Sequence, residues 1–491
     1  MEPSYPLRYP GPRWSILFSS YSGLQQQAVN ELQKIVQPFL PYVIRVQETA
    51  SAKMAELENR IFIGVCQKNP FLQNQLSSAG LPVPAVPQSY TLACLDSSTG
   101  KGGKLVLVAG ADADGVLYGV QEYGKRLYSQ AGRQGPVTKM GAERLRQVFD
   151  TQEKFSLHEE PVVRERGIWT WGYVIYDYRR FIDHMLRLKM NTLVIWNDCP
   201  PLNAPQLIDY AHQRGVKVIF GFHWGWGLSG INLADPADSQ AMRRSVVERY
   251  QREYQPLDLD GIYFQTLTEH SNTRLGEPTL ASVVCDFVNN TSRALLEISP
   301  NLQIYFGLHA TSIREHYTDL ADLDPRVTIV WEDAGSLPYT YQPAAPSPAD
   351  FEATLEYSRK LASFRPGASF AIVPKGWSNL RWDSEFEHHG PFILGEQPAW
   401  YSRKRLEGQQ GYWDKNNELW MRNYPLAARF YRDLSASASA GMMAVGLVED
   451  GLFEEKIQLS VSLFAEMLWN PFRSDDDLLR HALLNSVPET Y

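Results

Sequence analysis

From Val162 onward the 491-residue chain repeats one unit, a short apolar run followed by an amphipathic stretch, and this alternation constrains the fold more than any other feature. The apolar runs are Gly167–Trp171, Thr192–Trp196, Val216–Phe222, Gly261–Thr266, Gln303–Leu308, Val327–Trp331, Ser369–Val373 and Met443–Leu447. Helical periodicity follows them at Arg179–Lys189, Pro205–Arg214, Asp238–Tyr254, Thr279–Ile298, Ile313–Leu320, Pro348–Phe364, Asn416–Ser437 and Phe453–Trp469. Eight strands, each followed by a helix, predict an α/β fold, a (β/α)8 TIM barrel. The rival, a doubly wound open sheet, carries a glycine-rich phosphate loop after its first strand, and Trp169-Thr170-Trp171-Gly172-Tyr173 is not one.

The segment before the barrel reads differently. Apolar runs at Trp14–Phe18, Tyr42–Val46, Ile61–Val65, Tyr90–Leu95 and Leu105–Val108 lie among helical patterns at Gln25–Phe39 and Gly115–Tyr128. That mixture predicts a small α+β domain. Gly, Gln and Pro residues at 131–141 mark the approach to a boundary, giving a small α+β domain over 1–150 and a catalytic barrel over 151–491.

Composition narrows the partners. The net charge is 47 − 55 = −8 and no Lys/Arg block exists, which argues against nucleic acid. No apolar run reaches 18 residues and the first twelve residues hold four prolines, so neither a membrane span nor a signal peptide is expected and the expected location is cytoplasmic. Cys66, Cys94, Cys199 and Cys285 lie far apart, without a C-x-x-C pair, and no cofactor is expected. Oligomeric state, including a homo-oligomer, stays open.

Twelve of the thirteen tryptophans, all but Trp14, follow residue 150. In a barrel the site is built at the C-terminal ends of the strands. Residues there are Trp169 and Trp171, Trp196-Asn197-Asp198, His223-Trp224-Gly225-Trp226, Thr268-Glu269-His270, His309, Trp331-Glu332-Asp333, Lys375-Gly376-Trp377 and Glu449-Asp450. Flat rings stack on the C–H face of a pyranose while carboxylates and amides bind its hydroxyls, so this ring of groups suits a carbohydrate. Glu269, closing an apolar strand, is the candidate general acid. Glu332 or Asp333 supplies the second carboxylate, and pleat alternation requires only one of them to face the centre. Asp198, Glu449 and Asp450 are candidates for hydroxyl binding. His223, His270 and His309 read as hydroxyl binders too, with a metal site as the alternative.

Arg166-Gly167-Ile168-Trp169 followed by Lys189-Met190-Asn191-Thr192-Leu193 resembles the first two barrel strands of family 20 glycoside hydrolases, the β-hexosaminidases. The stretch from Ala109 to Gly119 resembles the close of the small domain preceding the barrel in that family and in family 67 α-glucuronidases. The resemblance implies a hydrolase with this domain order and gives Arg166 the task of holding sugar hydroxyls. Family 20 enzymes carry an Asp-Glu pair after the fourth strand, where this chain has Thr268-Glu269. The glucuronidase pattern, a lone Glu there with later carboxylates activating water, is the nearer likeness. The expectation is a glycoside hydrolase that removes a terminal sugar from an oligosaccharide or glycoconjugate by carboxylate acid/base catalysis. Two alternatives stand beside it: a catalytically inactive carbohydrate-binding barrel and a metal-dependent barrel hydrolase.

Overall fold

The structure, a computed structural model, describes residues 12–54, 57–97, 103–197, 199–225, 230–269, 272–308, 312–332, 348–377, 390–438, 440–448 and 453–486. The chain divides into two compact units, residues 1–161 with 213–215 and 487–491, and residues 162–212 with 216–486.

The first unit contains β1 (Trp14–Phe18), α1 (Gly23–Val36), β2 (Arg45–Glu48), β3 (Asn59–Val65), α2 (Pro70–Ser78), β4 (Tyr90–Asp96), β5 (Lys104–Gly110), α3 (Ala113–Gly132), α4 (Ala142–Asp150) and β6 (Phe155–Glu159). Its strands form one sheet in the order β2-β1-β3-β5-β4-β6. All are parallel except β4, which runs antiparallel to both β5 and β6. Every residue of β3 is buried, as in a strand covered on both faces. Helix α3 starts where the Asp112 carboxylate accepts the Gly115 N–H at 2.8 Å, satisfying a donor the first turn leaves open. The apolar pattern does not predict strand β6, and because β6 pairs with β4 it carries the first unit past residue 150 to Pro161.

The second unit contains β7 (Glu165–Trp171), α5 (Tyr178–Arg187), β8 (Thr192–Trp196), α6 (Ala204–His212), β9 (Lys217–Gly221), α7 (Pro236–Arg249), β10 (Gly261–Phe264), α8 (Leu280–Ile298), β11 (Gln303–Leu308), β12 (Val327–Trp331), α9 (Pro348–Ser363), β13 (Phe370–Ile372), α10 (Ala399–Ser437), β14 (Met442–Leu447), α11 (Leu459–Trp469) and α12 (Asp475–Ser486). The strands β7 to β14 close into a barrel, all parallel, with β14 pairing back to β7. All eight strands fall where the sequence places them. Pleat alternation then sorts their side chains. Trp169, Trp196, Ile219, Tyr263, Tyr305 and Val445 fill the barrel, whereas Ile168, Ile195, Phe220, Phe264, Phe306 and Ala444 pack outward in the core shared with the helices.

Three segments depart from expectation, one of them the helix expected over Phe453–Trp469, which begins only at Leu459. Residues 313–320 form no α-helix; their bonds close at i→i+3, from His316 N–H to Ile313 O and from Asp319 N–H to His316 O, ending in a 3₁₀ turn at Tyr317–Leu320. Helix α10 begins at Ala399, well before the expected Asn416, because its first turns lack the apolar stripe that periodicity detects: only Ser402 is buried before Trp413. Among the described residues no helix is long and apolar enough to cross a membrane.

Candidate active site

Among the described residues the strand ends bring Glu332 to the inside of the barrel. Glu332, just past β12, is 5% exposed. Gln265 Nε2 donates to both of its carboxylate oxygens at 2.8 Å, and the Tyr263 hydroxyl donates to Oε1. Tyr263 lies on β10 and Gln265 stands one inward step beyond it, so one strand supplies both donors. Gly307 on β11 makes the arrangement possible, since a Cβ there would overlap both Glu332 Oε1 and Tyr263 Oη. Of the two carboxylates expected after this strand, Glu332 is the one seen to face inward; Asp333 lies outside the described residues.

Beside Glu332 stands a wall of rings. Trp169 and Trp196 lie nearly parallel, with centroids 6.4 Å apart. Trp171 meets Trp169 edge-on at 5.4 Å, and Tyr263 meets Trp169 and Trp196 at 6.0 Å each. Gly221 on β9 leaves room for the Trp196 ring, whose Cε3 would otherwise sit 2.6 Å from a Cβ. Trp169 Nε1, like several outward indole nitrogens, has no hydrogen-bond partner among the described residues, and Asn197 Oδ1 accepts the Gly172 N–H at 3.1 Å. Lys375 is buried and in phase with the inward Ala371 and Val373.

The remaining candidates separate by side of the strand. Trp224 stacks on Phe264 at 3.6 Å in the outer core, Trp331 meets Tyr357 of α9 at 5.2 Å, and Trp377 stacks on Trp420 of α10 at 4.5 Å. These three, expected to bind substrate, instead pack helices onto the barrel: Trp224 and Trp331 fall on the outward phase, while Trp377, beyond the end of β13, packs against α10. His223 Nε2 accepts from Arg249 of α7 at 3.4 Å, which ties it to the helix side.

Arg166 is also corrected. It sits at the start of β7, the end opposite the site, fully buried, with its guanidinium over the Trp469 ring and donating to the Val163 and Arg164 carbonyls. Lys189 lies over the same ring at 4.4 Å, Asn191 Oδ1 accepts the Arg166 N–H at 3.0 Å, and a Cβ at Gly167 would overlap the Thr192 carbonyl. The Arg-Gly and Lys-Met-Asn-Thr patches therefore build the barrel floor. Asp198, Trp226, His270, His309, Glu449, Asp450 and the side chain of Glu269 lie outside the described residues; the Glu269 backbone closes a 3₁₀ turn, Leu267–Glu269. Among the described residues no three His, Cys, Asp or Glu side chains gather as metal ligands.

Sequence reasoning passed over Gln265 and Gly307, although period-two phase with Tyr263 and Tyr305 marks both as inward. It also passed over Glu454, beyond β14. That carboxyl is fully buried, accepts the Tyr176 N–H at 2.6 Å, and burial pushes its pKa up to about 8. It joins the segment after β14 to the one after β7.

No protein-family model matches the sequence, and no curated protein matches it. Solved structures do. A GH138 enzyme targeting pectin rhamnogalacturonan II aligns with a TM-score of 0.52 at 13% identity over 95% of this chain and 52% of that one. CpGH84B aligns with a TM-score of 0.53 at 10% identity over 96% of this chain and 70% of that one. This chain thus spans about half the length of the first. Its fold, a mixed α/β sheet unit followed by a closed eight-stranded parallel barrel, is one it shares with glycoside hydrolases.

Proposed function

We propose that the barrel is a glycoside hydrolase that removes a sugar from the end of a glycan. The observation that carries the reading is Glu332, buried inside the barrel among inward indoles and held at both oxygens by Gln265 and Tyr263. Donors aimed at both oxygens leave the group oriented as an acceptor, the disposition of a base or nucleophile; a general acid would present a proton outward. Glu332 is therefore assigned the second carboxylate role and Glu269 the general acid, which protonates the leaving oxygen. Trp169, Trp171 and Trp196 stack against the pyranose, and the Trp169 indole N–H takes one of its hydroxyls. The likeness to glycoside hydrolase structures, one of which targets a pectin polysaccharide, agrees with a carbohydrate substrate.

The test is turnover across a panel of aryl glycosides, paired with calorimetric sugar binding. Glu332→Gln and Glu269→Gln should each lower kcat by roughly 10²–10⁴-fold and keep sugar affinity. Unchanged turnover in both variants overturns the assignment. Sugar binding by the unaltered protein with no turnover on any glycoside favours the inactive binding barrel.

A further inference from the structure

The rings lining the barrel do not stop at its mouth. Trp171 stacks on Tyr173 at 5.9 Å, and a few residues on Tyr176 meets Tyr401 of α10 at 5.3 Å, beside Trp400. The segment before α10 is tied to the residues after β7: Gln397 N–H donates to Tyr176 O, Tyr178 N–H donates to Gly395 O, and Arg179 pairs with Glu396 at 2.8 Å. That pins the start of α10 to the rim of the strand ends. There the apolar surface is open to solvent, with Trp400 62% and Tyr401 44% exposed. Leu202 and Ile393 are exposed on the same rim, Leu202 N–H bonding to Phe392 O.

Charge accompanies the rings. Arg403 and Lys404 stand three and four residues after Trp400, the spacing that puts them beside it on one helix face. Both are exposed and neither has an ion pair or side-chain hydrogen bond among the described residues. Counting Glu407 against Arg403, Lys404 and Arg405, the first turns of α10 carry a net charge of 3 − 1 = +2, in a chain of net charge −8. A bare indole suits the C–H face of a sugar ring, and flanking cations suit carboxylates spaced along a chain of such rings.

We propose that the first turns of α10 are a docking surface for an acidic, carboxylate-bearing polysaccharide whose end enters the barrel mouth. The proposal rests on the glycosidase reading and narrows its substrate class. Affinity electrophoresis of the full chain in native gels tests it, with carboxymethyl cellulose, hydroxyethyl cellulose or no polymer cast in the gel. Carboxymethyl cellulose should retard the protein, less so as salt is raised, and the neutral polymer should retard it little. Trp400→Ala, and separately Arg403→Gln with Lys404→Gln, should each weaken retardation about tenfold with thermal melting unchanged. Variants that migrate like the unaltered protein overturn the proposal, as does equal retardation by the neutral polymer or equal binding of duplex DNA. Glu332→Gln should be retarded like the unaltered protein; if that variant instead keeps full turnover of aryl glycosides while retardation holds, the catalytic assignment falls and the docking surface stands.

Discussion

The inward and outward tryptophans of the barrel occupy neighbouring positions at the same strand ends, yet they belong to different layers. Trp169 and Trp196 face the interior beside Glu332; Trp224, Trp331 and Trp377 lie in the core between strands and helices. Nothing in residue type separates them. For Trp224 and Trp331 one residue of pleat phase does, moving a ring from the barrel interior to the helix layer; Trp377 reaches that layer from beyond the end of its strand. Carboxylates divide by end of barrel as well: Glu165 at the start of β7 is neutralised by Lys217 at 2.9 Å, whereas Glu332 at the opposite end is held by the uncharged donors Tyr263 and Gln265. The first arrangement is an ion pair at the floor, and the second a carboxyl group held by neutral donors at the mouth.

The sharpest way to break this division is to truncate one ring from each layer. Trp224→Ala removes a fully buried ring stacked between Phe264 and the helices, and should cost about 3–5 kcal/mol of stability by denaturant unfolding. Trp171→Ala, from the half-buried inward side, should cost about 1–2 kcal/mol while weakening sugar binding about tenfold by calorimetry. Equal destabilisation by the two variants, with no change in sugar affinity, would erase the distinction.

A smaller effect is expected from Gly307→Ala. Its methyl group pushes against Glu332 and Tyr263, so it should cost about 1–3 kcal/mol and lower kcat more than it raises KM. A variant with unaltered kcat would mean that the Glu332 clamp is not used in the reaction.

The smallest effect concerns Glu454. An unfolded glutamate deprotonates near its ordinary 4.5, whereas burial holds Glu454 protonated to about pH 8. Between those values the folded state keeps a proton the unfolded chain has lost, so stability falls as pH rises through the window and levels off above it. Glu454→Gln removes the ionisation but leaves a buried amide donor to place, so the net gain is small. Its Tm relative to the unaltered protein should rise between pH 4.5 and 8.5 and then level off. A pH-independent difference would contradict the buried, proton-holding carboxyl.

Much of this fold is legible in the sequence, and for a physical reason. Parallel barrel strands are buried on both faces, so they appear as short continuous apolar runs, and all eight can be read that way. Strand β6 and the first half of α10 escape because neither buries a continuous face: β6 alternates between half-buried and exposed residues, and α10 is polar nearly all round before Trp413. For the site, the strand ends are readable but the facing of their side chains is not. Trp331 and Glu332 are adjacent in sequence and point to opposite layers. The patch around Arg166 misleads for a related reason, since a motif at a strand start belongs to the floor however closely it resembles part of an enzyme. Gln265 and Gly307 become readable once the two-residue phase of Tyr263 and Tyr305 is extended.

The most direct measurement is a crystal structure of the Glu332→Gln variant soaked with a panel of monosaccharides and short glycans. A pyranose ring seated against Trp169, Trp171 and Trp196, with its anomeric carbon beside the residue 332 side chain, is the predicted result. Sugar bound only away from these rings, or no sugar at the strand ends while a bound ligand occupies the opposite end of the barrel, would contradict the account.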